Sequence, residues 1–403
     1  MFFMHIDSSS KRRIAFILLF SALFISAFWL TQGRSQYSEA DTIAKGVRTF
    51  EELSGRFETL AQEKGAPYAF EVLRRAQLPP NTDLHLLGHV VGDQLYLQQG
   101  IEGIALCTQD FRNACSHTIV IGVLGEYGDG AIEDIRSACK QAPGGSGAYT
   151  MCFHGLGHGV LAFDQYNFER TQDFCKKTGT NEYNNREYAE CMGGAVMEII
   201  SGGGHDRETW SKARNTYLEN GSPLSLCQQD FFDDQSRGIC YDYITPYLLE
   251  AAGANLGYPG PSDFEKAFVF CDELPNGSQE RDRCFGGFGK EFLVLAQDRD
   301  VRNIESMTSE QMRTVHAWCA LANDEEGTRA CIRSAVQSAY WGGENDPRAA
   351  LLLCRTSGKE YQVGCFKDLI DEVSYYVNDA AYREQFCASL PSEIQEECRS
   401  SLL

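Results

Sequence analysis

Histidine is the residue type whose spacing in this sequence most clearly suggests chemistry. Five of the eight histidines lie between positions 85 and 158 of the 403-residue chain: His85, His89, His117, His154 and His158. The segment DLHLLGHVVG aligns with CFHGLGHGVL, and CSHTIVIG between them has its histidine in the same position. An i, i+4 spacing places two imidazoles on one face of a helix, with Cβ atoms about 5–6 Å apart.

Three consecutive units therefore present imidazoles at equivalent positions. Helices that pack side by side lie roughly 8–10 Å apart, so their histidines can share one site. Imidazole suits zinc, copper, nickel or haem iron, and the pattern predicts a transition-metal (Zn or Cu) or haem site. A zincin mechanism is excluded, because Glu follows neither His85 nor His154. The alternative is that these are core histidines copied with the repeat; His205 and His316 are expected to be structural or surface residues, and His5 cytoplasmic.

Cysteine defines the elements that must position these histidines. All sixteen cysteines lie after residue 100, and short gaps alternate with longer ones. This spacing predicts disulfides between sequence neighbours in an oxidising compartment. The predicted bonds join Cys107 with Cys115, Cys139 with Cys152, Cys175 with Cys191, Cys227 with Cys240, Cys271 with Cys284, Cys319 with Cys331, Cys354 with Cys365, and Cys387 with Cys398. Zinc ligation by the cysteines in the cytosol is the poorer alternative, because the gaps of 8 to 16 residues exceed the usual tight pairs.

Each cysteine pair predicts one helical hairpin. Segments such as DFEKAFVFC and PRAALLLC have helical periodicity, which places the first cysteine on a helix's last turn. Turn-forming residues follow, as in APGGSG and ELPNGSQ, and the second cysteine is expected to open a second helix. Each crosslink should stabilise by roughly 3 kcal/mol. Glycines such as Gly157 and Gly289 predict close helix contact, with backbone approach to a ligand as the alternative.

The predicted fold is all-α, with tandem disulfide-stapled αα-hairpins in a solenoid-like array. First cysteines recur after 32 to 52 residues, which brackets the length of two-helix repeats. From Cys107 to Cys398 the chain resembles cysteine-stapled relatives of tetratricopeptide repeat proteins. It lacks their W-x-x-L-G-x-x-Y pattern. The resemblance implies a concave binding face.

The N-terminus predicts a membrane anchor. A basic flank, Lys11 to Arg13, precedes an uncharged run from Ile14 to Leu30, which is long enough to span a bilayer. The positive-inside rule then predicts a cytoplasmic N-terminus and an exported chain, in the periplasm or at the cell surface. A cleaved signal peptide is the alternative. The predicted organisation is a cytoplasmic tail (1–13), a transmembrane signal anchor (14–31), a linker and helical cap (32–80) and a repeat ectodomain (81–403).

Charge and the remaining motifs narrow the possible functions. The net charge of −20 argues against nucleic acid as a partner. Three glutamates seven residues past a second cysteine are candidates to line a groove: Glu198, Glu291 and Glu372. Asn220 and Asn276 begin sequons that turn chemistry explains equally well. No catalytic nucleophile is evident, so the sequence leaves open whether the protein is an enzyme.

Two functions from different classes remain. The sequence favours a membrane-anchored helical repeat scaffold that binds a protein or peptide on its concave face. The alternative is a metal- or haem-binding ectodomain, perhaps an enzyme, that uses the five clustered histidines.

Overall fold

The computed structural model describes residues 37–202, 207–219, 221–342 and 345–402. The predicted anchor and cytoplasmic tail, with His5 and His205, lie outside these residues. Within them the chain is α-helical and contains no β-strand. None of the helices in these ranges combines the length and the apolar character needed to cross a bilayer.

The helices form two layers. The inner layer is a row in which each helix packs on the next: α3 (Leu84–Gln99), α4 (Asp110–Tyr127), α6 (Gly145–Phe163), α8 (Arg186–Ser201), α10 (Asp234–Tyr243), α13 (Gln279–Leu295), α15 (Glu325–Gly342), α17 (Lys359–Tyr376) and α19 (Ser392–Leu402). Shorter helices cover its outer side: α5 (Ile132–Cys139), α7 (Phe168–Lys176), α12 (Pro261–Asp272), α14 (Ser309–Cys319), α16 (Arg348–Thr356) and α18 (Ala380–Ser389). The others are α1 (Phe50–Lys64), α2 (Ala66–Arg75), α9 (Arg207–Leu218) and α11 (Thr245–Ala251).

The eight predicted disulfides are all present, with Cα–Cα distances from 5.3 to 5.9 Å. The prediction of disulfide-stapled helical repeats is confirmed. In six units the first cysteine lies in the last turn of an outer helix, as expected. Cys107, bonded to Cys115, instead follows a 3₁₀ helix (Gly100–Leu106). Cys227, bonded to Cys240, lies in a turn region without an α-helix.

The predicted start of the second helix was wrong in seven of the eight units. The second cysteine does not open the inner helix but lies inside it: α6 begins at Gly145, seven residues before Cys152. Helix α17 begins at Lys359, six residues before Cys365. Similar displacements of five or six residues occur in five other inner helices, which enclose Cys191, Cys240, Cys284, Cys331 and Cys398. In α4 the regular right-handed helix begins only after Asn113, so Cys115 lies at its start, as predicted.

The inner helices start early because their N-caps lie within the turn segments. In α13 the Ser278 side chain accepts a hydrogen bond from the Arg281 N–H, so the helix begins five residues before Cys284. In α10 the Asp233 side chain accepts one from the Ser236 N–H in the same way, ahead of Cys240. The connecting loops are consequently short. Each disulfide joins the two chain segments on either side of its loop, with the second cysteine inside the inner helix rather than at its first residue.

Glycine sets the distance between inner helices. A Cβ atom at Gly157 would overlap the carbonyl oxygen of Cys191, and one at Gly194 would overlap that of His154. Gly289 meets the carbonyl oxygen of Cys331 in the same way. Backbone therefore contacts backbone, and the prediction that these glycines serve close helix packing is confirmed. No larger side chain fits at these positions unless the helices move apart.

The two halves of the array also contact each other across the inner side. Arg112 Nη2 donates to Ser338 Oγ at 3.0 Å, and Arg186 Nη2 donates to the Tyr376 hydroxyl at 2.9 Å. These partners are 226 and 190 residues apart in sequence. Arg302 closes another such contact on the Leu73 carbonyl oxygen, at 3.2 Å. The array thus curls until inner helices from opposite halves meet, and these contacts cross the face that an open solenoid would present.

We expect Gly289→Ala to destabilise the protein, because its methyl group would push against the α15 backbone. The loss should be about 1–3 kcal/mol of unfolding free energy. Gly364→Ala is the matched control: Gly364 lies in α17 with open space around its Cα, and Ala should stabilise the helix by about 0.5–1 kcal/mol. Denaturant unfolding of the oxidised protein measures both. Equal losses in the two variants would contradict the close-packing explanation.

Candidate metal centre

The five histidines predicted to cluster converge on one site between α3, α4 and α6. His85 and His89 lie on α3, His117 on α4, and His154 with His158 on α6. Ring centroids of contacting pairs are 4.5 Å apart for His85–His89, 5.3 Å for His85–His117 and 5.2 Å for His154–His158. The predicted alignment of three units therefore corresponds to one spatial cluster, which we call the histidine cluster.

His117 lies at the centre of the histidine cluster. Its ring centroid lies 5.7 Å from His89, 5.5 Å from His154 and 6.0 Å from His158, in addition to its contact with His85. The side chain is 1% exposed, and neither ring nitrogen has a hydrogen-bond partner among the described residues. A buried polar group without a partner is costly and rare. Hydrogen bonding within the described residues therefore does not explain why a polar side chain is buried at position 117.

One set of three imidazoles has the geometry of a ligand set. His85, His89 and His117 each offer a ring nitrogen, and these three atoms all lie within 4.8 Å of one another. In tetrahedral zinc, with bonds of about 2.0–2.1 Å, two ligand nitrogens lie roughly 3.3 Å apart.

In His85 and His158 one ring nitrogen is within hydrogen-bond distance of an oxygen atom. His85 Nδ1 lies 2.7 Å from the Phe111 carbonyl oxygen, and His158 Nδ1 lies 3.2 Å from Glu198 Oε2. His154 Nδ1 lies 3.6 Å from Glu190 Oε2, just beyond hydrogen-bond distance. Histidines that bind metals usually donate their second N–H to a carboxylate or a carbonyl, which fixes the ring and aims the free nitrogen. Nε2 of His158 accordingly has no partner in the part of the chain that the structure describes.

Helix contacts explain why the imidazoles meet. A Cβ at Gly155 would overlap the backbone of His117, and Gly194 of α8 lies against the His154 carbonyl. Gly88, between His85 and His89, faces the Ala114 side chain, where a Cβ would come within 2.6 Å. The glycines beside the histidines thus bring α3, α4, α6 and α8 to contact distance.

Burial favours the neutral form of three cluster members, His85, His117 and His154. Burial, followed by the neighbouring imidazoles, holds the pKa of His117 well below its usual value. Burial likewise lowers the pKa of His154 to about 4, although Glu190 acts in the opposite direction. The pKa of His85 is also lowered by burial. Neutral imidazole is the form that binds metal ions.

Sequence reasoning missed several residues around the cluster. Glu190 and Met197 of α8 contact His154, whose Nε2 lies 3.1 Å from the Met197 sulfur. Tyr243 stacks beside His154 at a centroid distance of 4.7 Å. No motif marks these residues, because their role arises from packing between units. The sequence offers one indication of Glu190: it immediately precedes the second cysteine of its pair, Cys191, and His117 and His154 also lie close in sequence to a second cysteine.

Other predicted candidates lie outside the cluster or at its edge. Glu198 is buried and also accepts a hydrogen bond from Tyr166, whereas Glu372 accepts one from Gln337 at 2.6 Å. Glu291 is half-buried on the inner side of α13. His316 lies on α14, where its Nε2 is 2.8 Å from the Leu353 carbonyl oxygen, and it does not join the cluster.

No protein-family model, curated protein or solved structure matches this chain. The sequence and the geometry of the described residues therefore carry the functional argument.

The metal-free protein should lose stability in acid because of these neutral imidazoles. His154 has a pKa of about 4 when folded and 6.5 as a free side chain, so the unfolded chain binds the proton more tightly. Stability should fall as pH drops from 6.5 to 4, with roughly 3 kcal/mol from this residue. Chemical unfolding at several pH values tests this. His154→Gln should flatten the dependence and His316→Gln should keep most of it; an unchanged slope in His154→Gln would refute the assignment.

Proposed function

We propose that this protein is an extracytoplasmic metal-binding protein that holds a first-row transition ion, Zn²⁺ or Cu²⁺, in the histidine cluster. The observation that carries the proposal is the burial of His117 amid four other imidazoles, with neither ring nitrogen paired within the described ranges. A metal ion supplies the missing partner. Eight disulfides indicate an oxidising compartment, in which thiols are unavailable as ligands and imidazole is the natural donor.

The proposed ligands are His85, His89 and His117, with His154 and His158 behind them. Three imidazoles with one open position are typical of zinc sites that bind water or a substrate. The Glu198 carboxylate orients His158, and the Glu190 carboxylate lies 3.6 Å from His154 Nδ1. Both histidines would pack against the bound ion's ligands, and His158 Nε2, which has no partner among the described residues, is available to complete its coordination.

An ion fits this site better than haem does. The helices that carry the imidazoles touch at their backbones, since a Cβ at Gly155 would overlap His117. A porphyrin would have to separate α4 from α6, whereas a metal ion needs only the space between the ring nitrogens. We therefore propose a metal ion, and not haem, as the ligand of the histidine cluster.

The scaffold interpretation receives less support from the geometry. It requires an accessible concave face, and the inner face is crossed by contacts such as Arg112–Ser338 and Arg186–Tyr376. Attachment to a membrane through residues 14–31 is compatible with a metal site and belongs to the proposal, with the described residues exported.

Metal analysis of the full-length protein, purified with its disulfides oxidised, tests the proposal. After incubation with Zn²⁺ or Cu²⁺ and removal of excess, we expect about one tightly bound ion per chain. His117→Gln should abolish stoichiometric binding, because it removes the central ligand. His316→Gln is the matched control and should bind like wild type.

The disulfides should keep His117→Gln folded, which circular dichroism would verify. Wild-type protein without bound metal, or equal binding by wild type and folded His117→Gln, would overturn the proposal.

A further inference from the structure

Two cations beside the histidine cluster lack an ionic partner within the described ranges. Arg112, on α4, and Lys290, on α13, are both half-buried on the inner side of the array. Among the described residues, no carboxylate oxygen lies within 4.0 Å of either side chain's nitrogens. Buried charges are normally paired, because removing a charge from water is costly. Two such cations next to a candidate metal centre therefore call for an explanation.

Backbone strain positions Arg112. Phe111, Arg112 and Asn113 have φ angles of 54°, 58° and 62°, in the left-handed region that non-glycine residues avoid. Such strain is typical of functional sites and persists when the surroundings enforce it. It gives two results here: the Phe111 carbonyl reaches His85 Nδ1, and the Arg112 guanidinium points across the array to Ser338. The buried Arg112 Nε has no hydrogen-bond partner in the described part of the chain.

Lys290 reaches the same region from the opposite half of the array. Its Nζ lies 3.4 Å from the ring centroid of Tyr243, and that ring stacks beside His154. Burial lowers the pKa of Lys290 to about 8, and the nearby Arg112 charge acts in the same direction. The two cations are therefore close enough to affect each other, and both border the histidine cluster.

The neighbouring carboxylates are already engaged or lie farther away. Asp242 forms an ion pair with Arg283 at 2.9 Å, and Glu190 contacts both His154 and Arg186 at 3.6 Å. The Glu291 carboxylate favours the charged form of both cations, but it lies beyond ion-pair distance of their side-chain nitrogens. Because Asp242 and Glu190 each lie beside an arginine, Arg112, Lys290 and a bound divalent metal ion face the carboxylates of Glu291 and Glu198, which leaves a local excess of positive charge.

We propose that Arg112 and Lys290 bind a small oxyanion, a carboxylate or a phosphate, next to the metal ion of the histidine cluster. This inference rests on the proposed metal-binding function and names the class of ligand that meets the ion's open coordination position. The Arg112 fork suits two oxygen atoms of such an anion, and Lys290 adds a point charge. The acidic character of the whole chain does not oppose it, because the positive charges of Arg112, Lys290 and the bound metal ion outnumber the negative charges of the unpaired carboxylates nearby.

Calorimetric titration of the full-length, Zn²⁺-loaded protein tests this inference. Inorganic phosphate and acetate are the two probes and distinguish a phosphate site from a carboxylate site; acetamide is the uncharged counterpart of acetate. Arg112→Gln and Lys290→Gln should each weaken binding of the preferred anion roughly tenfold or more, since each removes a charge-assisted hydrogen bond. Lys367→Gln, which removes an exposed cation paired with Glu397, should leave the affinity unchanged.

Zinc content is measured in every sample. Loss of anion affinity with zinc retained supports the inference. Absence of saturable binding of either anion to the zinc-loaded wild type, equal affinity in wild type and both interior variants, or equal binding of acetamide and acetate would overturn it. If the wild type takes up no zinc, the proposed function fails, and the same titrations on metal-free protein then decide the anion site alone.

Discussion

Backbone contact between neighbouring inner helices is the constraint on which the rest of the structure depends. At Gly157, Gly194 and Gly289 a carbonyl oxygen of the next helix occupies the space of a side chain. Helices that approach this closely bring the side chains beside the contact into one another's reach. On α3, α4 and α6 those side chains are imidazoles, so the histidine cluster is a direct consequence of glycine packing.

The disulfides offset the free-energy cost of this packing. Glycine lowers helix stability by up to about 1 kcal/mol per residue, and burying His117 without a hydrogen bond to either ring nitrogen costs more. Each disulfide ties an inner helix to the segment before it within a separation of 8 to 16 residues. In the loop-entropy model such crosslinks contribute roughly 3 kcal/mol each. The disulfides thus stabilise an array that contains polar imidazole side chains in its interior.

The sequence predicted what is local and repeated. Cysteine spacing indicated all eight disulfides, and aligning the cysteine-proximal segments placed His85, His117 and His154 at equivalent positions. The helix starts were misplaced, because the N-cap at Ser278 lies inside a segment that composition marks only as a turn. Arg112 and Lys290 could not be found, because they come near each other only when helices from opposite halves close across the inner face. Sequence periodicity holds no information on such a contact.

The central claim is that close helix packing creates a metal site made of imidazoles. X-ray absorption spectroscopy at the zinc or copper edge of the loaded, full-length protein tests it most directly. The account predicts a first shell of nitrogen at about 2.0–2.1 Å with the outer-shell scattering of at least three imidazole rings. A first shell of oxygen without imidazole scattering, or one containing sulfur from cysteine, would contradict it.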